Sequence, residues 1–218
     1  MTPLADVVPN VAFIDQLDAR ARSVLETMGT SRAVRYLRSD PVPDEVLELL
    51  VWAATRASSA DNSQPWSFVL ITRPEVKKEI AEGVSGFLAT IAQMAPTSDQ
   101  VRTRTRTGAV HLLEHLTDVP ALIVICGRDD YPAEAPEEMY LWGSLHAAAQ
   151  NMVVAGRAMG LSVVLTMLHV AAPRKVRAAL ALPDDQKIGA VMAVGWPQRA
   201  FGPVARKELG EVIHRERW

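Results

Sequence analysis

Two arginines, Arg32 and Arg35, stand three residues apart in Ser31-Arg32-Ala33-Val34-Arg35. A turn carrying Ser58, Ser59, Asn62 and Gln64 lies a short way beyond them. The guanidinium is a planar fork that meets phosphate or carboxylate oxygens in pairs. Hydroxyl and amide side chains match the oxygens and nitrogens of a heteroaromatic ring or a polyhydroxy chain. Taken singly, each residue also has an ordinary use, as a surface ion pair or as turn chemistry.

A second constellation, His111-Leu112-Leu113-Glu114-His115, puts two histidines one helical turn apart in the H-x-x-E-H order. That order can hold zinc with the glutamate as general base. It needs a third ligand, and Glu208 and Glu211 lie in a charged tail without helical periodicity, so the motif reads as an exposed polar face. Arg102, Arg104 and Arg106 alternate with threonines, and no aromatic side chains interleave for stacking on bases. There is no G-x-x-x-x-G-K-[ST] and no G-x-G-x-x-G, which excludes a P-loop and a dinucleotide fingerprint. Gly156 to Gly160 fits helix packing or a helix C-cap.

The elements that must position these residues can be read from hydrophobic period. Residues 11–29 space Phe13, Leu17, Ala21, Leu25 and Met28 as one helical face closed by Gly29. Pro43-Asp44-Glu45 opens a helix with Leu47, Leu50, Val51 and Ala54 on its apolar side. Residues 58–66 form a polar turn, 67–72 a strand and 74–94 a helix. Residues 95–106 give no assignable element, 121–127 is a buried strand and 129–136 a loop. Residues 137–159 step Met139, Trp142, Leu145, Ala149, Met152, Gly156 and Met159 by three or four, again a helix. A strand at 161–168, a short helix at 173–182 and a strand at 189–196 precede an apolar tail ending in Trp218.

Composition bounds the rest. The 218 residues suit one domain, and 49% hydrophobic against 22% charged residues is globular. A net charge of −2 gives no bulk attraction for nucleic acid or acidic membranes, so neither is expected as a partner. The single cysteine, Cys126, excludes a disulfide framework and multi-cysteine metal sites, and no metal is assigned. No 18-residue apolar run and no basic leader is present, so the expected location is the cytoplasm.

Together the motifs resemble the FMN-dependent nitroreductase family. The matching pieces are Ser31–Arg35, Pro41-Val42-Pro43-Asp44-Glu45-Val46-Leu47 and Ala57–Phe68, which includes Asn62-Ser63-Gln64-Pro65-Trp66. Ala149-Gln150-Asn151-Met152, Gly160-Leu161, Gly195-Trp196-Pro197 and Arg206 follow in order. The resemblance implies an α+β nitroreductase-like fold, with a central, mostly antiparallel sheet flanked by helices. It implies one domain over 1–218 forming an intertwined homodimer. Residues 1–30 would be a helical extension, and 197–218 a tail packing on the partner subunit.

It implies FMN as cofactor and NADH or NADPH as reductant, with nitroaromatic, quinone or related small-molecule acceptors reduced by a ping-pong hydride mechanism. Arg32 and Arg206 would hold the phosphate near the Ala33 backbone, and Arg35 would lie by N1 and O2 of the flavin. Ser58, Ser59, Asn62 and Gln64 would approach from the partner chain. Leu165, Thr166 and Met167 would offer main-chain groups near N5 and O4. No catalytic side chain is implied. Ser31, Ala33, Ser58 and Asp61 depart from the family pattern, where arginine, serine, proline and glycine are usual. Two alternatives stay open. One is a flavoprotein of this fold acting without NAD(P)H, as an oxidase, dehalogenase or flavin-handling protein. The other is a non-catalytic flavin-binding module.

Overall fold

The computed structural model describes residues 16–94 and 98–218. They fall into two compact units, Ala33–Ala200 and a smaller one made of residues up to Arg32 with Phe201–Trp218.

The larger unit is built on a four-stranded sheet of β1 (Trp66–Ile71), β2 (Ala121–Gly127), β3 (Ser162–Thr166) and β4 (Lys187–Gly195). The spatial order is β1-β2-β4-β3, and every pairing is antiparallel. All of β2 is buried because helices cover both faces of the sheet. Ala121, Ile123 and Ile125 join the core under α2 (Asp44–Ala54) and α5 (Glu138–Ala158). Leu122 and Val124 join the core under α3 (Pro74–Ala92), α4 (Gln100–Glu114) and α6 (Pro173–Ala179). Period-two alternation thus divides one apolar strand between two cores.

In α2, Asp44 and Glu45 occupy the first turn, and Leu47, Leu50 and Ala54 are fully buried. In α5 the buried stripe runs through Leu141, Leu145, Ala148, Met152 and Gly156. Met139, expected on the apolar face, is 68% exposed, because the stripe facing the sheet begins two residues later. Both glycine readings hold. A Cβ on Gly156 would lie 2.3 Å from Val163 Cγ2, so the helix packs closely on β3 there. Gly160 has φ +78°, and the next amide, Leu161 N–H, bonds back to Gly156 O at 2.8 Å, ending the helix.

The largest departure from expectation is α4, which runs through the Thr/Arg segment. Asp99 Oδ1 accepts from the Val101 and Arg102 amides at 2.8 and 3.1 Å, an N-cap that starts the helix. Only Gly108, Leu112 and Leu113 of α4 are buried, so its apolar signal is faint. Residues 95–97 lie outside the described residues. The strand expected at 161–168 stops at Thr166, and Leu168–Ala171 forms a 3-10 turn closed by Val170 N–H to Met167 O. The helix expected to reach 182 ends at Ala179, and Ala181 takes φ 47°. No helix among the described residues is long and apolar enough to cross a membrane.

In the smaller unit, α1 (Ala19–Thr30) is capped by Asp18, whose Oδ1 accepts from Ala21 N–H at 2.8 Å. Phe13 and the start of the expected helix lie outside the described residues. Gly29 sits inside the helix rather than closing it, and Val204 N–H bonds to Gly29 O. Met28, expected on the apolar face, is 53% exposed. The tail makes a short turn at Leu209–Glu211 stabilised by a Glu208/Glu211 capping box. Leu209, Val212, Ile213 and Trp218 are exposed.

Candidate functional site

Arg35 sits on an extended segment that the end of β4 straps in place. Arg38 N–H donates to Trp196 O at 2.8 Å, and Gln198 N–H donates to Tyr36 O at 2.9 Å. Gln198 Nε2 donates to Leu37 O, and Trp196 Nε1 to Pro41 O, at 2.8 and 3.1 Å. From the start of β3, the buried Ser162 hydroxyl donates to Val34 O at 2.8 Å. The Gly-Trp-Pro turn and the arginine motif, far apart in sequence, therefore form one structure. Gly195 has to be small there, since a Cβ would meet Pro120 Cδ at 2.9 Å.

The Arg35 stem lies on α4 at Gly108, where a Cβ would meet Arg35 Cδ at 3.3 Å and Cβ at 3.6 Å. Its guanidinium is half-buried and makes no hydrogen bond or ion pair with another described residue. Burial lowers its pKa, yet an arginine titrates so far above neutrality that it keeps its charge. Arg35 lines a cavity of about 520 Å³ shared with Arg38, His111, His115, Asp118 and Gln198. Asp40 pairs with Arg38 at 3.1 Å, and Asp118 pairs with His115 at 3.0 Å. The acids of this wall are thereby committed, and Arg35 is left as a cation without a counter-charge.

The 58–64 turn follows α2. Ser59 accepts twice, at Oγ from Gln64 N–H (3.1 Å) and at its carbonyl from Asn62 N–H (3.1 Å). Asp61, Asn62 and Gln64 adopt left-handed backbone, with φ 48°, 53° and 48°. That conformation explains the glycine usual at position 61, and aspartate is among the side chains that tolerate it. The side chains of Ser58, Asn62 and Gln64 are exposed and make no hydrogen bond to another described residue. Asn151, from the Gln-Asn motif on α5, supports α2 by donating to Ala53 O at 3.3 Å.

Leu165 and Thr166 end β3, which pairs with β4 alone and so leaves its outer main-chain edge unpaired within the described residues. Thr166 Oγ1 donates to Val191 O at 2.8 Å, and Leu165 and Met167 are exposed. Arg32, Ala33 and Arg206 are exposed too. Arg32 has no carboxylate partner among the described residues, and Arg206 bonds only its neighbour Ala205 O. Arg32 and Arg206 belong to the same smaller unit.

Within one chain, the predicted residues thus form separate groups. Ser162 ties the Arg35 segment to β3. No hydrogen bond or ion pair joins the 58–64 turn to Arg35 or to Leu165–Met167 among the described residues. The H-x-x-E-H histidines are engaged elsewhere. His111 stacks on Tyr36 with centroids 4.2 Å apart, and His115 pairs with Asp118. No cluster of three or more His, Cys, Asp or Glu suited to a metal exists among the described residues. Sequence reasoning missed Gly108, Ser162 and Gln198, whose roles depend on contacts between distant segments.

Comparison with known proteins places these observations. The family model described as "Nitroreductase family" matches residues 30–196. Iodotyrosine deiodinase 1 of Rattus norvegicus is 25% identical over 208 residues, covering 91% of this chain and 71% of the relative. A protein of Archaeoglobus fulgidus, named provisionally as an NADH dehydrogenase/NAD(P)H nitroreductase, is 26% identical over 198 residues, covering 89% and 98%. Among solved structures, iodotyrosine deiodinase bound to FMN and 3-iodo-L-tyrosine superposes with TM-score 0.72 at 17% identity, covering 89% and 100%. The NADPH:FMN oxidoreductase of Vibrio harveyi, complexed with NAD+, gives 0.69 at 19%, covering 90% and 78%. At such identities these two structures speak to the fold.

Proposed function

The chain belongs to the nitroreductase family, and from that premise we propose that it is an FMN-dependent oxidoreductase. In this reading NADH or NADPH is the reductant, and a nitroaromatic, quinone or related small molecule is the acceptor, in two half-reactions at one site. The carrying observation is Arg35, a half-buried guanidinium with no counter-charge among the described residues. The donor set fits the cofactor. Arg32 and Arg206 offer uncommitted cations for a phosphate, and Ser59, Asn62 and Gln64 offer hydroxyl and amide groups for a ring edge. Main chain at Leu165, Thr166 and Met167 offers further polar groups.

FMN, when bound, supplies a reversible two-electron centre that accepts and donates hydride. The chain's own residues position it and set its field. Arg35 would supply a fixed positive charge to stabilise the negative charge of reduced flavin, and its partial burial would strengthen that field. Arg32 and Arg206 would hold the FMN phosphate, with the Ala33 backbone as a further contact. Ser58, Ser59, Asn62 and Gln64 would contact the ring from a second copy of the chain, so this reading calls for a homodimer. The exposed Leu209, Val212, Ile213 and Trp218 of the tail supply apolar surface for that partner to cover. Residues 1–218 would then act as one domain with an N-terminal extension.

A second reading is a flavoprotein of this family that dehalogenates or oxidises a ligand without NAD(P)H, supported by the deiodinases among its relatives. One experiment separates the two. After incubation with FMN and desalting, the protein should retain flavin absorbance; a colourless protein overturns both readings. Anaerobic NADH or NADPH should then bleach the bound flavin. A flavin that stays oxidised with both reductants leaves the second reading.

A further inference from the structure

His111 belongs to a motif that the proposed function leaves unused, and it sits beside the residue on which that function depends. Gly108 and His111 lie three residues apart on one face of α4. Gly108 receives the Arg35 stem, and His111 stacks on the neighbouring Tyr36 at 4.2 Å and 22°. On Tyr36 the Arg199 guanidinium also rests, 5.0 Å from the ring centroid. Tyr36 thus links α4, the arginine segment and the chain beyond β4. Tyr36 adjoins Arg35 in the chain and both lie against α4, so holding the Tyr36 ring restrains the backbone from which Arg35 departs.

We propose that His111 is a positioning residue, which by stacking on Tyr36 holds Arg35 against Gly108 in its half-buried site. The proposal rests on the reading of Arg35 as the cation at the flavin edge. It assigns His111 no contact with flavin or substrate. What it requires of position 111 is a flat ring. Phenylalanine should therefore serve, and alanine should not. An aromatic pair has strength enough for a severalfold effect on the geometry it stabilises.

Two measurements test it. In the protein without flavin, the Arg35 Nε–H signal is identified by its loss in Arg35→Gln. That signal should keep its wild-type shift in His111→Phe and move away from it in His111→Ala. In the FMN-loaded protein, the preference for reduced over oxidised FMN should fall about fivefold in His111→Ala and be restored in His111→Phe. It should not fall further when His111→Ala is added to Arg35→Gln. An unchanged Arg35 signal in His111→Ala, or an additive effect in the double variant, overturns the proposal. If the wild-type protein fails to hold FMN, the function proposed above falls, while the Arg35 signal still decides whether His111 positions that side chain.

Discussion

Gly127 closes β2 opposite Trp66, two residues beyond the 58–64 turn. A Cβ at this position would stand 2.3 Å from the Pro65 carbonyl oxygen, 3.0 Å from Leu141 Cδ1 and 3.1 Å from Leu145 Cδ2. To restore even a 3.0 Å contact, the Pro65 carbonyl would have to retreat by 0.7 Å (3.0 − 2.3). The obstacle is backbone, which cannot swing away as a side-chain tip can. The same carbonyl accepts from Arg128 N–H at 3.2 Å, and the retreat breaks that bond. Overpacking of this kind costs about 1–3 kcal/mol and the lost hydrogen bond about 1 kcal/mol. Gly127→Ala should therefore lose about 2–4 kcal/mol of unfolding free energy, read from the urea midpoint at unchanged slope. It should also weaken FMN retention, because Gln64 precedes the displaced proline. Gly86→Ala is the control, since nothing lies within 4 Å of its Cβ position in α3, and it should hold or gain stability. A loss below about 1 kcal/mol for Gly127→Ala would show that the turn is not pinned where we place it.

Other perturbations reach the same region by different physics. Ser162→Ala leaves the buried Val34 carbonyl without its donor and should cost about 1–3 kcal/mol in denaturant titration. Asp61, at φ 48°, should tolerate glycine within about 1 kcal/mol, whereas Asp61→Val should lower the melting temperature. Arg35→Gln should keep the fold but loosen flavin, measured by fluorescence titration, with reduced FMN losing more affinity than oxidised FMN. Burial draws the His169 imidazole below its usual range, with His146 pulling the same way and a backbone bond at Ile188 opposing them. The folded protein thus resists a proton that the unfolded chain accepts. Stability contributed by His169 is full above the ordinary imidazole range and declines as pH falls through it. His169→Leu should flatten that decline in thermal melts between pH 7 and 5.

The parts of the fold legible in the sequence were those whose burial writes a period. Leu47, Leu50 and Ala54 marked the face of α2, and the unbroken apolar run 121–127 marked a strand covered on both sides. α4 escaped because its helix is started by a side-chain cap at Asp99 and buries only Gly108, Leu112 and Leu113. A polar helix that buries one glycine and two adjacent leucines leaves little hydrophobic signal. β3 ran too long on paper because Met167 and Leu168 are apolar for another reason, Leu168 packing in the core from a 3-10 turn. At the site, the arginines and the turn residues stood out as motifs. Their supports Gly108, Ser162 and Gln198 did not, and His111 stood out only within a metal-like motif, since all four gain meaning only when β3, β4 and α4 meet the 33–41 segment.

The sheet has no tight hairpin. Two helices separate β1 from β2, a long helix separates β2 from β3, and a 3-10 turn with a short helix separates β3 from β4. Each ladder must therefore wait for a distant stretch of chain, and loop closure costs entropy before any strand pair compensates it. Nascent chains of this topology expose the apolar run 121–127 until its neighbours arrive. The topology predicts slow refolding and sensitivity to chaperone supply during expression, with α3 and α5 as the elements able to form early.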